Sequence, residues 1–143
     1  MTIRELMTGG PITVRPETGV LEARDLMVKK RIRHLLVTDV GGTLEGIVTD
    51  RDIRLNLPSQ ATSLSVWEIN HLLSALTVEK VMTRAVITVG PDGPARDGAR
   101  LMMEHKIGAL PVVEGGRLLG IVTETDIVRA FVNMTAPALG GRS

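Results

Sequence analysis

Two short stretches of this 143-residue chain place the same reactive side chains at the same spacing: Thr49-Asp50-Arg51-Asp52 and Thr123-Glu124-Thr125-Asp126. Each follows a Gly-Ile-Val run, so each Thr is read as ending a strand and opening a helix. A helix N-terminus offers unpaired N–H groups and the positive end of a dipole, which suits phosphate. A carboxylate three positions on can accept hydrogen bonds from both vicinal hydroxyls of a ribose. The same Thr-x-x-Asp spacing is also a capping box, in which both side chains serve only the helix end. The spacing alone leaves both readings open.

Other chemistry is sparse. Lys29-Lys30-Arg31-Ile32-Arg33-His34 is the one basic run. It reads as cations at a helix C-terminus and a solvated face, or as a phosphate-recruiting patch around Arg33. The three histidines, His34, His71 and His105, lack ligand spacing, and no HExxH, G-x-S-x-G or phosphate-loop sequence occurs. Glu22 with Asp25, and Asp50 with Asp52, are neighbours that nothing marks as an acid/base pair. No cysteine is present, which removes disulfides, thiolate nucleophiles and thiolate metal sites. No catalytic residue and no metal site is nominated, and the chain is not expected to be an enzyme.

Composition sets the frame. Hydrophobic residues make up 43% and charged residues 23%, a globular balance. At this length roughly two thirds of the unfolded surface is buried on folding, enough for a core. Seventeen basic against sixteen acidic side chains give a net charge of +1, and Trp67 and Phe131 are the only Trp, Tyr or Phe. Nucleic acid is therefore not an expected partner. No apolar run approaches the ~18 residues of a membrane span, and the first ten residues lack the apolar stretch of a secretory signal. A cytoplasmic location is expected.

The elements that must position these residues occur twice. A shift of 75 residues lays Thr2 on Thr77, Met7-Thr8 on Met82-Thr83, Ile12-Thr13-Val14 on Ile87-Thr88-Val89, and Leu26-Met27 on Leu101-Met102. The shift then falls to 74, because the first copy has one extra residue at its Gly41-Gly42 turn, and Gly46-Ile47-Val48-Thr49 meets Gly120-Ile121-Val122-Thr123. Each copy predicts a capped leading helix, a short strand ended by Pro16 or Pro91, and a helix from Thr18 or from Gly93-Pro94. That helix buries Val20, Ala23 and Met27, or Ala95, Gly98 and Met102. A Gly-Gly hairpin and a last helix from Thr49 or Thr123 follow. The fold class is mixed α/β (α+β), two β-α-β-β-α repeats. Repeat 1 is assigned to residues 1–56, an inserted segment to 57–76, repeat 2 to 77–132 and a flexible tail to 133–143.

The inserted segment carries Ser65 and Glu68 as a capping box, then Val66, Ile69, Leu72, Leu73 and Leu76 at helical spacing. This amphipathic helix packs across the two copies, forms a dimer or partner surface, or acts as a mobile lid.

With Met-Thr leads, Ile-Thr-Val strands and G-I-V-T-x-x-D-I in both copies, the chain resembles a tandem pair of cystathionine-β-synthase (CBS) domains, a Bateman module, over roughly residues 1–132. Its inserted segment is similar to that of the bacterial acetoin-utilisation accessory subgroup. With no catalytic, channel or transporter sequence alongside, it resembles a stand-alone module.

The resemblance implies two repeats packed with pseudo-twofold symmetry and adenine nucleotides (AMP, ADP or ATP) or S-adenosylmethionine bound in clefts between them. It also implies a homodimer and no obligatory cofactor. By the family pattern, Thr49, Asp52, Thr123 and Asp126 take the nucleotide, and the residues before each Asp, Arg51 and Thr125, meet its phosphate. So do the residues after the Ile that leads into the second strand, Arg33 and Gly108, with His34 close by. Ile12, Thr13, Ile87 and Thr88 complete the set, and Val14, Ile47, Val89 and Ile121 join Ile12 and Ile87 as apolar walls that are core in any reading. Copy one thus has Arg33 and Arg51 where copy two has Gly108 and Thr125, which predicts unequal sites, the first taking the phosphorylated ligand. The expected function is a regulatory module that senses an adenine nucleotide and signals to a partner protein. The alternative is a constitutive dimeric interaction scaffold in which Thr-x-x-Asp only caps helices.

Overall fold

The duplicated pattern folds into two compact units whose boundaries cut across the sequence repeats. The computed structural model describes residues 1–58 and 63–140. One unit is the continuous stretch Ile12–Val86, and the other joins Met1–Pro11 to the chain from Ile87 onward.

The Ile12–Val86 unit holds β2 (Thr13–Val14), α2 (Val20–Lys30), β3 (His34–Thr38), β4 (Leu44–Thr49), α3 (Asp50–Leu55), α4 (Val66–Ala75) and α5 (Val78–Val81). Its sheet runs β2-β3-β4, with β2 parallel to β3 and β3 antiparallel to β4. Alternating and branched apolar residues put Leu35, Val37 and Val48 into the core with Val20, Ala23 and Met27 of α2, and Val78 and Val81 of α5 close it. The other unit holds α1 (Ile3–Leu6), β1 (Thr8–Gly9), α6 (Ala95–His105), β5 (Ala109–Glu114), β6 (Arg117–Thr123) and α7 (Glu124–Gly140). Its sheet runs β1-β6-β5, all antiparallel. Its core is Ile3, Leu6, Met102, Leu110, Val112 and Val122.

The leading helix of each repeat therefore belongs to the unit built by the other repeat. Ile3 and Arg4 donate backbone hydrogen bonds to Gly93 and Pro91, and Ala95 donates to Met1. In the same pattern Val78 and Glu79 donate to Thr18 and Pro16, and Val20 donates to Leu76. These bonds explain why the long helices start one or two residues later than their sequence signals. Gly19 bridges Thr77 and Pro94 bridges Thr2, so both stay extended as N-caps and the helices begin at Val20 and Ala95.

The glycine of each Gly-Ile-Val-Thr run has its reason in the same exchange. A Cβ on Gly120 would lie 2.6 Å from the Thr8 carbonyl oxygen, and one on Gly46 would lie 2.8 Å from that of Thr83. The hairpin in the second repeat is a two-residue turn with both Gly115 and Gly116 at positive φ, which matches the twist of the strands.

Three further details depart from the sequence reading. Ile87–Val89 contributes only a parallel bridge between Val89 and Val112. Thr2 and Glu5 close their capping box, whereas the Thr77 side chain makes no cap bond and Glu68 supplies only its N–H to Ser65. The segment assigned as a tail, 133–143, is helical as far as Gly140, as the end of α7. The rest of that tail, 141–143, lies outside the described residues, as do residues 59–62 of the inserted segment.

Candidate functional site

The sheet of the Ile12–Val86 unit gathers the first set of candidates at one end. Because β2 and β3 run parallel and β4 antiparallel, the starts of β2 and β3 lie beside the end of β4. His34, the first residue of β3, pairs with Thr49, the last of β4. The chain before β3 is fastened to the helix after β4, since Asp50 donates its N–H to the Arg33 carbonyl at 3.0 Å. Thr13 begins β2 and pairs with Leu36, two residues into β3, and Ile12 precedes it toward the same end.

The side chains at this end are available in different degrees. Arg33, Arg51 and Thr13 are exposed, while Ile12, His34, Thr49 and Asp52 are half-buried. Neither arginine forms an ion pair with a described residue. The basic run divides by location: Lys29 and Lys30 lie in the last turn of α2, where the helix dipole favours cations, and Arg33 lies at the sheet end. Thr49 and Asp52 do form the capping box, the Thr49 N–H reaching Asp52 Oδ2 at 2.9 Å and the Asp52 N–H reaching Thr49 Oγ1 at 3.0 Å. That uses one oxygen of the carboxylate. Asp52 Oδ1 accepts no hydrogen bond from a described residue.

The second set occupies the equivalent end of the other sheet. Ala109 pairs with Thr123, Glu124 donates to the Gly108 carbonyl at 3.2 Å, and Val89 exchanges backbone bonds with Pro111 and Val113. Ile87 and Thr123 are half-buried, and Thr88 and Thr125 are exposed. Asp126 differs sharply from Asp52. It is only 5% exposed. Its Oδ2 accepts from the Thr123 N–H at 2.8 Å and the Thr123 hydroxyl at 3.1 Å. Its Oδ1 accepts from the Thr8 hydroxyl at 3.2 Å and from Arg129 at 3.3 Å.

Thr8 and Arg129 are the two residues near these sites that the sequence reading missed. Arg129 carried a signal, since the repeat alignment sets it against Leu55. Thr8 did not: it lies 118 positions from Asp126.

Among the described residues no group of three or more His, Asp or Glu is placed to hold a metal ion. Among the same residues no helix is long and apolar enough to cross a membrane.

The model of the CBS domain matches the chain twice, over residues 3–59 and 78–133. The chain belongs to the CBS-domain family. Its two matched segments form a tandem CBS pair with an internal repeat and a mixed α/β fold.

Solved CBS pairs are similar over nearly the whole chain. A putative acetoin utilization protein from Vibrio cholerae is 30% identical with a TM-score of 0.79, covering 100% of this chain and 97% of that one. CBSX2, solved in complex with AMP, is 34% identical with a TM-score of 0.77, over 92% and 97% of the two chains. The CBS pair of protein MJ0100, solved with 5′-methylthioadenosine and S-adenosyl-L-methionine, is 31% identical with a TM-score of 0.77, over 94% and 98%. This chain spans only 23% to 33% of the length of several curated relatives, enzymes among them.

Proposed function

We propose that this CBS pair is a non-catalytic regulatory module that binds an adenine nucleotide at the sheet end formed by Thr13, His34 and Thr49. The observation that carries this reading is the pairing of an open carboxylate oxygen on Asp52 with two uncommitted arginines, Arg33 and Arg51. The carboxylate suits a ribose diol, and planar guanidinium groups suit phosphate oxygens. Adenine-containing ligands in two similar CBS pairs support the class of ligand. Ile12 and Ile47, half-buried beside these groups, offer apolar surface for the base. In the second copy Thr123, Thr125, Asp126, Ile87 and Thr88 are the corresponding residues, with Gly108 and Thr125 where the first copy has its arginines. Regulation of a partner protein requires the nucleotide to bind one conformation more tightly than another, since equal affinity shifts no population.

The test is isothermal titration of nucleotide-free protein with AMP, ADP, ATP and S-adenosylmethionine. Saturable binding of one of them, weakened at least tenfold in Arg33→Ala with an unchanged melting curve, is the expected result. No binding of any of the four refutes the reading.

One observation favours a second reading, a homodimeric interaction scaffold. Helix α4 buries none of its residues, and Val66, Trp67 and Leu72 are 75%, 74% and 52% exposed. Apolar side chains left in water on one helix are what a protein–protein surface provides.

A further inference from the structure

Resting on the nucleotide reading above, the geometry points to Arg129 and Thr8 as the residues that close the second site. A carboxylate has about four lone-pair positions. Asp126 has four donors aimed at them: the Thr123 N–H, the Thr123 hydroxyl, the Thr8 hydroxyl and the Arg129 guanidinium. Nothing is left for a ribose diol. Among the described residues Asp52 meets one donor on one oxygen, which leaves the other for a ligand.

The difference traces to particular residues. Thr123 and Thr49 are equivalent and do not explain it. Thr8 has a counterpart in Thr83, which pairs with Ile47 as Thr8 pairs with Ile121, yet no hydrogen bond joins Thr83 to Asp52. Arg129 has Leu55 as its counterpart, and leucine has no donor. Arg129 sits one helical turn beyond Asp126 and forms the one ion pair in which a described carboxylate is nearly buried. It stands where an incoming ligand would place its own donors, and it carries the charge that balances Asp126.

The second copy is thus self-liganded, and this chain takes one nucleotide rather than two. Arg129 is a specificity-determining residue, and Thr8 supports it by holding Asp126 Oδ1 from the exchanged N-terminal segment. Replacing Arg129 by the residue of the first copy should open the site while leaving the capping box intact. Because Arg129 is 62% exposed, its removal leaves no cavity in the core.

The experiment is titration with AMP of four full-length proteins: wild type, Arg129→Leu, Thr8→Val/Arg129→Leu, and Asp52→Ala with both of those changes. Circular dichroism melting shows which are folded, and Arg129→Leu alone keeps the Thr8 bond should the multiple variants prove unstable. One AMP per wild-type chain, rising to two in the opened variants, is expected. The opened site should survive Asp52→Ala and bind 2′-deoxy-AMP at least tenfold more weakly than AMP. Two AMP per wild-type chain, or one in every folded protein, overturns the proposal. Binding only by the opened variants keeps the closure and refutes the Asp52 site. No binding by any of the four refutes both.

Discussion

Asp52 and Asp126 occupy the same place in two copies of one motif, yet they make different bonds. Both accept the N–H of the threonine three residues earlier, so both cap a helix. Asp126 also ties α7 to β1 through Thr8, across 118 positions of chain. Among the described residues the Asp52 side chain ties nothing beyond its own turn. One copy of the motif therefore leaves a carboxylate oxygen open among the described residues, while the other commits both oxygens within the fold. The comparison shows that the sequence of a motif does not decide how much of its carboxylate the fold uses. The neighbours brought to it do.

The largest effect should come from the glycines that let the exchanged segments cross the sheets. In Gly120→Ala the new methyl would meet a carbonyl oxygen of the backbone, which has no rotamer to escape into. A loss of about 2–3 kcal/mol is expected from urea unfolding. Gly46→Ala should cost a similar amount, because Thr83 crosses it at nearly the same distance. If either substitution is neutral, the close crossing is not a constraint and the two units are less alike than their sheets suggest.

Removing the carboxylates comes next and separates the copies. Asp126→Ala leaves the Thr123 N–H and two hydroxyls without their acceptor, while Arg129, 62% exposed, turns to water, a loss of about 1–2 kcal/mol. Asp52→Ala loses one capping partner, worth about 1 kcal/mol. The nucleotide effect should run the other way, with AMP affinity falling at least tenfold in Asp52→Ala. Equal losses of stability in the two variants would erase the distinction on which the comparison rests.

Much of this was legible in the residues. The 75-residue shift, with its one slip at Gly41-Gly42, disclosed both repeats, and a hairpin lies at each Gly-Gly pair. Both Thr-x-x-Asp motifs are closed capping pairs, as their spacing requires. The exchange of leading helices was not legible. Ile3 and Leu6 form an apolar face that fills either unit's core equally well by local pattern, and only the backbone bonds to Pro91 and Gly93 decide which. The same long-range bonds hid the true starts of α2 and α6. At the sites, the arginine asymmetry could be read by alignment, whereas the Thr8 bond depends on β1 lying against β6.

The smallest effect is expected on α4, where the two copies cannot be compared because the second has no such helix. Trp67 stacks on His71 one turn later, with ring centroids 5.5 Å apart, and both face water. A side chain already 74% exposed gives up little on removal, so Trp67→Ala should change stability by less than about 0.5 kcal/mol. Its consequence should appear in association instead. If α4 is a scaffold surface, Trp67→Ala and Leu72→Glu shift the protein toward monomer in analytical ultracentrifugation while AMP binding is unchanged. If mass and affinity both stay at wild-type values, α4 is not the dimer surface, and the nucleotide reading loses its rival on this helix. A fall in AMP affinity without a change in mass would instead make α4 part of the site at the Asp52 end.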